Sequence, residues 1–155
     1  MKKYVLFLFT AFCLIGVADR VQAQSVSGSI GNGTAARGGQ TRGRIVLDIP
    51  GRLHVNSNRP ASEYAIPTVV RLTSAGGARV SGAVYPRGRN RKFQFSENLI
   101  NVYEGRVAFP FTLHVPANFR GETVRVRAIV RYQACTEEVC YPPKNGEITL
   151  TARVR

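Results

Sequence analysis

Cysteine is scarce in this chain, which contains only Cys13, Cys135 and Cys140. A disulfide-dense scaffold is therefore excluded, and a domain of this length can bury enough surface to fold without disulfide support. Long apolar runs are also missing after the N-terminus, because no later segment approaches the ~20 apolar residues of a spanning helix. The sequence offers no Ser-His-Asp arrangement and no paired acid site, and the glycines of 31–39 lack the Lys-Ser/Thr of a phosphate loop.

The N-terminus has the three parts of a secretory signal peptide. Met1-Lys2-Lys3 precedes an apolar run over 4–18, and Val21-Gln22-Ala23 supplies small or aliphatic residues before a cut at Gln24. We predict a cleaved signal peptide over 1–23, with an uncleaved N-terminal anchor as the alternative. Cleavage would discard Cys13 and leave one cysteine pair, which in an exported protein is normally a disulfide.

Acidic residues are few, with 9 Asp and Glu against 22 Lys and Arg and a net charge of +13. For an exported chain this charge favours an acidic protein or, in weak contact, an anionic membrane surface, and we predict no nucleic acid partner. The cations concentrate in 87–92 and in a stripe predicted on the last strands. That stripe comprises Arg125, Arg127, Arg131, Arg153 and Arg155. It could steer an acidic partner or simply form a soluble basic face.

Apolar residues alternate with a period of two along most of the chain. Gly, Ser and Thr dominate 24–43, which we predict to be a flexible leader, with the folded domain at 44–155. The predicted strands lie within 45–49, 53–55, 66–72, 80–85, 99–103, 107–115, 124–132 and 148–154. Short alternating strands separated by Gly or Pro turns predict an all-β, antiparallel sandwich. Pro110, inside one strand, predicts an edge or a bulge there.

Spacing alone leaves the role of Cys135 and Cys140 open. A disulfide across four intervening residues removes little chain entropy, worth about 2 kcal/mol, so it is either a structural clip or a redox centre. Glu137 and Glu138 lie between the cysteines, where negative charge disfavours a thiolate. The pair would then suit attack by a partner's thiolate better than opening attack. Ordinary solvation of the loop is the alternative explanation for the two glutamates.

The residues around the cysteines carry a family resemblance. Tyr132-Gln133-Ala134-Cys135 followed by Cys140-Tyr141-Pro142-Pro143 resembles the N-terminal periplasmic domain of the thiol:disulfide interchange protein DsbD. Weaker agreements lie at 50–56, 85–86 and 102–105, so that the resemblance covers roughly 44–155. It implies an immunoglobulin-like sandwich in the periplasm, with Cys135 and Cys140 as the redox pair and Cys140 as the cysteine that forms the mixed disulfide.

The same resemblance implies partners for the domain. Domains of this family are reduced by a thioredoxin-like domain fed through the membrane, and they then reduce periplasmic client proteins. The family shields its cysteines with an Asp-Glu-Phe cap that is missing here, and Phe93 or Phe95 could replace it, strand packing being the alternative. With neither a membrane nor a thioredoxin domain in the sequence, we expect the electron donor to lie on another chain. We expect the protein to be a monomer.

His54 and His114 are the only histidines, and strand parity predicts that both point outward. His54 lies in a strand that lines the site in the family, so it is a candidate proton donor or acceptor beside the cysteines. Two thiolates and a histidine would suit copper or zinc, but the spacing of Cys135 and Cys140 is not a standard zinc pattern, and we predict neither a metal nor a cofactor. The competing function is a non-catalytic binding module in which the disulfide shapes a loop and the basic face binds a partner.

Overall fold

A computed structural model describes residues 24–155 of the protein. The predicted signal peptide therefore lies outside the described residues. Within 24–155 the backbone forms twelve strands and no helix. These residues therefore contain no helix that could cross a membrane. The strands are β1 Ser25–Ile30, β2 Thr34–Ala35, β3 Gln40–Asp48, β4 His54–Asn56, β5 Val69–Ser74, β6 Arg79–Val80, β7 Arg89–Arg91, β8 Ile100–Tyr103, β9 Arg106–His114, β10 Thr123–Tyr132, β11 Ala134–Cys135 and β12 Lys144–Val154.

Two four-stranded sheets form the main sandwich. The first has the order β1-β3-β9-β6, and its central pair runs in register from Gln40 opposite His114 to Asp48 opposite Arg106. The second has the order β2-β12-β10-β5, and its central pair runs from Thr123 opposite Arg153 to Tyr132 opposite Lys144. All pairs are antiparallel except β2 with β12. The prediction of an all-β antiparallel sandwich is confirmed.

Alternation along the long strands builds the core between these sheets. In β9 the buried residues are Val107, Phe109, Phe111 and Leu113, and in β10 they are Val124, Val126, Ala128, Val130 and Tyr132. The residues between them face solvent, as expected for a sheet with one buried face. Phe109 is fully buried and meets the rings of Tyr85 and Tyr103 edge-on, with centroids 5.6 and 5.8 Å away.

A third, smaller sheet in the order β11-β4-β8-β7 carries the cysteine pair. Side chains alternate between its faces. Val55, Tyr103 and Ala134 on one face join the main core. On the other face, Ile100 and Val102 pack with Phe93 in a separate apolar cluster. The small sheet is thus covered on both faces.

The segment predicted to be a flexible leader belongs to the sandwich instead. Strand β1 pairs with β3 along its whole length, from Ser25 opposite Asp48 to Ile30 opposite Gly43. Two glycines of this segment allow neighbouring groups to come close to the backbone. A Cβ on Gly28 of β1 would lie 2.5 Å from the Arg44 carbonyl oxygen, and one on Gly43 of β3 would lie 2.2 Å from the Phe111 ring. The folded region therefore includes 25–30 and 40–43, and the predicted boundary at 44 is wrong.

The sequence predicted an edge or a bulge at Pro110. Strand β9 lies between β3 and β6, but β6 ends before it reaches Pro110. The Pro110 carbonyl accepts a hydrogen bond of 2.7 Å from the Val84 amide, in an irregular stretch beyond β6. In an extended strand the nitrogen of a residue faces the same side as its carbonyl, so the proline nitrogen also faces this irregular edge. The ladder between β9 and β3 therefore loses no donor at Pro110.

Candidate functional site

Cys135 and Cys140 form a disulfide at one end of the sandwich. The sulfur atoms are 2.04 Å apart and the Cα atoms 4.0 Å apart. Cys135 ends β11 and lies directly opposite His54 of β4, and Cys135 and Cys140 also form an isolated antiparallel bridge. The connection between the last two long strands thus folds back on itself and brings its two cysteines together.

A hydroxyl and a backbone hydrogen bond define the turn between the cysteines. The Thr136 amide donates to the Val139 carbonyl at 2.8 Å. The Thr136 hydroxyl oxygen accepts from the amides of Glu138 and Val139 at 3.2 and 3.1 Å. Threonine side chains stabilise turns in this way, by bonding to the backbone a few residues further on. Glu137 and Glu138 are consequently held on the exposed side of the turn.

Side-chain amides fasten the loop to the small sheet. Asn56 donates through Nδ2 to the Ile66 carbonyl at 3.1 Å and to Gln133 Oε1 at 3.3 Å. Gln133 in turn donates through Nε2 to the Tyr141 carbonyl at 3.2 Å. The Tyr141 amide donates to the Ala134 carbonyl at 2.8 Å. These bonds fix the chain on both sides of the disulfide, and Asn56 was not predicted from the sequence.

The two cysteines differ sharply in exposure. Cys135 is 0% exposed, whereas Cys140 and the following residues Tyr141 and Pro142 are exposed. A protein thiolate can attack only a sulfur that it reaches along the sulfur–sulfur axis. The side of the bond that belongs to Cys140 is the one open to a partner.

His54 is buried, and the prediction that it points outward is wrong. It is 3% exposed, because β4 lies between the main core and a cover formed by Phe93. The imidazole stacks on Phe93 with centroids 4.3 Å apart, and Phe93 stacks on Phe95 at 5.2 Å. Phe93 is 2% exposed and Phe95 is 47% exposed. Three rings therefore form a layer that begins beside Cys135 and ends in solvent.

Ion pairs connect the cysteine turn to strand β7. Arg91 contacts Glu104 Oε1 at 2.5 Å through Nη1 and Glu137 Oε1 at 3.1 Å through Nη2, and its guanidinium lies 5.9 Å from the Phe93 ring centroid. Burial lowers the pKa of His54 below its usual 6.5, and the positive Arg91 adds to this, while Glu137 and Glu104 oppose it. The imidazole is therefore neutral near pH 7.

The other predicted site residues are dispersed. Tyr132 lies in the sandwich core, where desolvation raises its pKa. His114 is half-buried and pairs with Gln40 at the start of β3, whereas β4 follows the other end of that strand. Arg91 was predicted only as part of a basic segment, and Glu104 was not predicted at all. Nothing in the sequence gives the pairing of β7 with β8 that brings both to the site.

The predicted basic stripe forms on the outer face of the second sheet. Arg125, Arg127, Arg131 and Arg153 are all exposed on β10 and β12, and Arg127 pairs with Glu147 at 2.8 Å. Arg155 lies just beyond β12. Within 24–155, no group of three His, Cys, Asp or Glu side chains gathers in a way that could hold a metal ion.

Comparisons with known proteins connect this geometry to a family. The family model described as thiol:disulfide interchange protein DsbD, N-terminal, matches residues 32–152. No curated protein sequence matches the chain. The N-terminal periplasmic domain of ScsB from Proteus mirabilis has a similar structure, with a TM-score of 0.55 and 13% identity. The alignment covers 82% of this chain and 45% of that one, so this chain spans less than half of the ScsB structure.

A second structure is the Neisseria meningitidis DsbD N-terminal domain in the reduced form, with a TM-score of 0.48 and 18% identity over 83% of this chain and 85% of that one. The fold expected from the sequence, an immunoglobulin-like antiparallel sandwich, is confirmed. Because the family model covers most of the chain and includes both Cys135 and Cys140, the protein belongs to the family of DsbD N-terminal domains, which are thiol:disulfide interchange domains.

Proposed function

We propose that this protein is a periplasmic domain that relays electrons through Cys135 and Cys140, from a thioredoxin-like or membrane-embedded thiol reductase to client proteins. The observation that carries the proposal is the unequal exposure of the two cysteines within the family motif. Cys135 is fully buried beside His54, and Cys140 is exposed. A bond with one open and one enclosed sulfur has a preferred point of attack and a protected leaving group.

Reduction of the domain begins at Cys140. A thiolate of the donor attacks the Cys140 sulfur, the bond between the cysteines breaks, and Cys135 leaves with the electron pair and takes up a proton. The donor's second thiolate then attacks the donor sulfur of the mixed disulfide and releases the Cys140 thiolate. The donor ends as a disulfide, and the domain holds two thiols. The two electrons come from the donor's dithiol.

Delivery to a client runs through the same sulfur. The thiolate of Cys140 attacks the client disulfide and forms a mixed disulfide, releasing one client thiol. Cys135 then loses its proton, attacks Cys140 and releases the second client thiol. The domain returns to the oxidised state and the client gains two electrons. The hydrogen bonds of Gln133 and Asn56 keep the two cysteines close enough for this closing step.

His54 is the group best suited to take the Cys135 proton. It lies directly opposite Cys135 in the pairing of β4 with β11, and burial keeps it neutral near pH 7. A neutral imidazole accepts a proton, whereas a charged one cannot. In this proposal Phe93 holds the imidazole in place, and the more exposed Phe95 is the ring that a partner meets first.

Trapping of mixed disulfides tests the proposal with two matched variants. Cys135→Ser leaves the exposed cysteine free, so it should accumulate a covalent complex with a thioredoxin-fold protein in intact cells. Cys140→Ser leaves only the buried cysteine, and its complex should be several-fold less abundant. Tyr132 and Tyr141 flank the pair in both variants and stay unchanged.

The reduction potential of the purified protein separates the proposal from its competitor. A redox pair should have a potential above about −300 mV, the upper range of structural disulfides. A lower potential, together with no trapped partner for either variant, would leave the pair as a loop clip. The protein would then act as a binding module through its outer arginines, and a double Cys→Ala variant would keep its activity in the cell.

A further inference from the structure

A polar pocket of about 670 Å³ lies on the far side of the small sheet from the disulfide. Strand β8 separates the two sites. Ile100 and Val102 point toward the face that carries Phe93 and His54, and Asn101 and Tyr103 point the other way. The volume falls within the range of small-molecule sites. Nothing in the proposed exchange reaction uses this pocket.

Internal hydrogen bonds decide which polar atoms the pocket offers. The Tyr103 hydroxyl donates to Asn58 Oδ1 at 2.7 Å and also lies 3.1 Å from the Pro86 carbonyl. Asn101 donates through Nδ2 to Asn90 Oδ1 at 2.7 Å. Each bond uses one of the two lone pairs on the oxygen of an asparagine that lines the pocket, and the oxygen of the third lining asparagine, Asn101, lies beside Gly88 as an acceptor. The amide NH₂ groups of Asn58 and Asn90 remain as donors.

The charge of the lining has one sign. Arg59 and Arg87 are lining residues and both are exposed, and none of the residues that line the pocket is acidic. Among residues 24–155, neither arginine has a carboxylate oxygen within 4.0 Å, since the ion pairs there involve Arg91, Arg106 and Arg127. Guanidinium forks and amide NH₂ groups are all donors, which is the chemistry that recognises an oxyanion.

Two residues that line the pocket, Gly88 and Ala61, have unusual backbone requirements. A Cβ on Gly88 would lie 2.0 Å from Asn101 Oδ1, so only glycine lets Arg87 and its neighbours approach β8 this closely. Ala61 has a φ of 61°, in the left-handed region that alanine rarely adopts. Residues in this conformation cluster at active sites and ligand-binding sites.

We propose that this pocket binds a phosphate-bearing anion. Two arginines and two amide groups can surround one phosphate, and the volume leaves room for an organic remainder against the ring of Tyr85. The phosphate could belong to a free metabolite or to a phospholipid headgroup, since the recognition chemistry is the same. The site stands apart from the cysteine pair, so it does not depend on the proposed electron relay.

Titration of the ¹⁵N-labelled protein with inorganic pyrophosphate, against sodium chloride at equal ionic strength, tests the site. The side-chain NH₂ signals of Asn58 and Asn90 should shift and saturate. The double variant Arg59→Gln/Arg87→Gln should lose at least about tenfold in affinity, as expected for two charge-assisted hydrogen bonds. Arg125→Gln/Arg153→Gln removes the same charge from the outer face of the sandwich and should keep the affinity within about twofold.

Vesicles distinguish the two sources of the phosphate. Phosphatidylcholine vesicles with and without phosphatidylglycerol are sedimented with the wild type and both double variants. Binding that needs phosphatidylglycerol and is lost only in the Arg59/Arg87 variant assigns a lipid headgroup. Saturable pyrophosphate shifts without vesicle binding assign a free ligand. The proposal is overturned if Asn58 and Asn90 show no saturable shift, or if both double variants weaken binding equally.

Discussion

The main sandwich and the small sheet are held together in different ways. The central strand pair of each main sheet has strands of nine to eleven residues, and alternating apolar side chains fill the space between the sheets. The small sheet has strands of only two to four residues. Its cysteine loop depends on the amides of Asn56 and Gln133, the ion pairs of Arg91, the stacked rings and the disulfide.

This difference separates stability from reactivity. Burial of apolar area supplies most of the folding free energy, and it is concentrated in the sandwich. Polar contacts contribute little net stability, but they fix the positions of the groups that they join. Changes in the sandwich should therefore unfold the protein, whereas changes around the small sheet should leave it folded and alter the exchange reaction.

The largest expected effect contrasts two buried phenylalanines. Phe109→Ala should lower the free energy of unfolding by about 3–5 kcal/mol, because the ring is enclosed by the main core. Phe93→Ala should cost less, about 2 kcal/mol, because its apolar cluster contains only two other residues. Urea unfolding measures both. Only Phe93→Ala should accelerate reduction by dithiothreitol, and equal acceleration by both variants would contradict the separation.

Opening the disulfide should have a moderate effect on stability. The closed loop is short, so reduction should lower the free energy of unfolding by at most about 2 kcal/mol. The reduced domain should therefore remain folded, with native circular dichroism and cooperative unfolding. A reduced protein that unfolds without denaturant would show that the small sheet contributes to the stability of the whole fold.

Protonation of His54 gives a smaller effect with a defined sign. The folded state lowers the pKa of His54, so between that value and 6.5 the unfolded state binds more protons. The contribution of His54 is complete above pH 6.5 and is lost as the pH falls through the folded pKa. Unfolding measured from pH 5 to 8 should show stability rising with pH up to about 6.5 and level above that value. The rise should flatten in His54→Gln and persist in His114→Gln.

The smallest expected effect compares two exposed ion pairs. Arg91→Gln and Arg127→Gln should each lower the free energy of unfolding by less than about 1 kcal/mol. Their chemistry should differ, since Arg91 restrains Glu137 in the cysteine turn and Arg127 pairs with Glu147 on the outer face. Stopped-flow reduction by dithiothreitol should be faster for Arg91→Gln and unchanged for Arg127→Gln. Identical rates for both would mean that Arg91 does not restrain the turn.

Period-two alternation predicted β9 and β10 well, because one face of each is buried along most of the strand, but it missed 40–43 of β3 and 144–147 of β12, where burial is incomplete. The same signal failed for β1, where Ser25–Ile30 alternates weakly and its glycines suggested flexibility. Backbone pairing with β3 and the close approach at Gly28 make it a strand, and neither is visible locally. Strand β7, read as a run of charges, likewise exists only because β8 lies beside it.

The cysteine site divides in the same way. The local sequence determined the alternating strands, the turn between the cysteines and the motif of Tyr132, Gln133 and Tyr141, because these depend on neighbouring residues. Tertiary structure alone decided that His54 is buried opposite Cys135, that Arg91 reaches Glu137, and that Cys140 is the exposed sulfur. Predicting side-chain direction from alternation assumes that one face of a strand is exposed and the other is buried. The assumption fails for β4, because residues distant in sequence cover both of its faces.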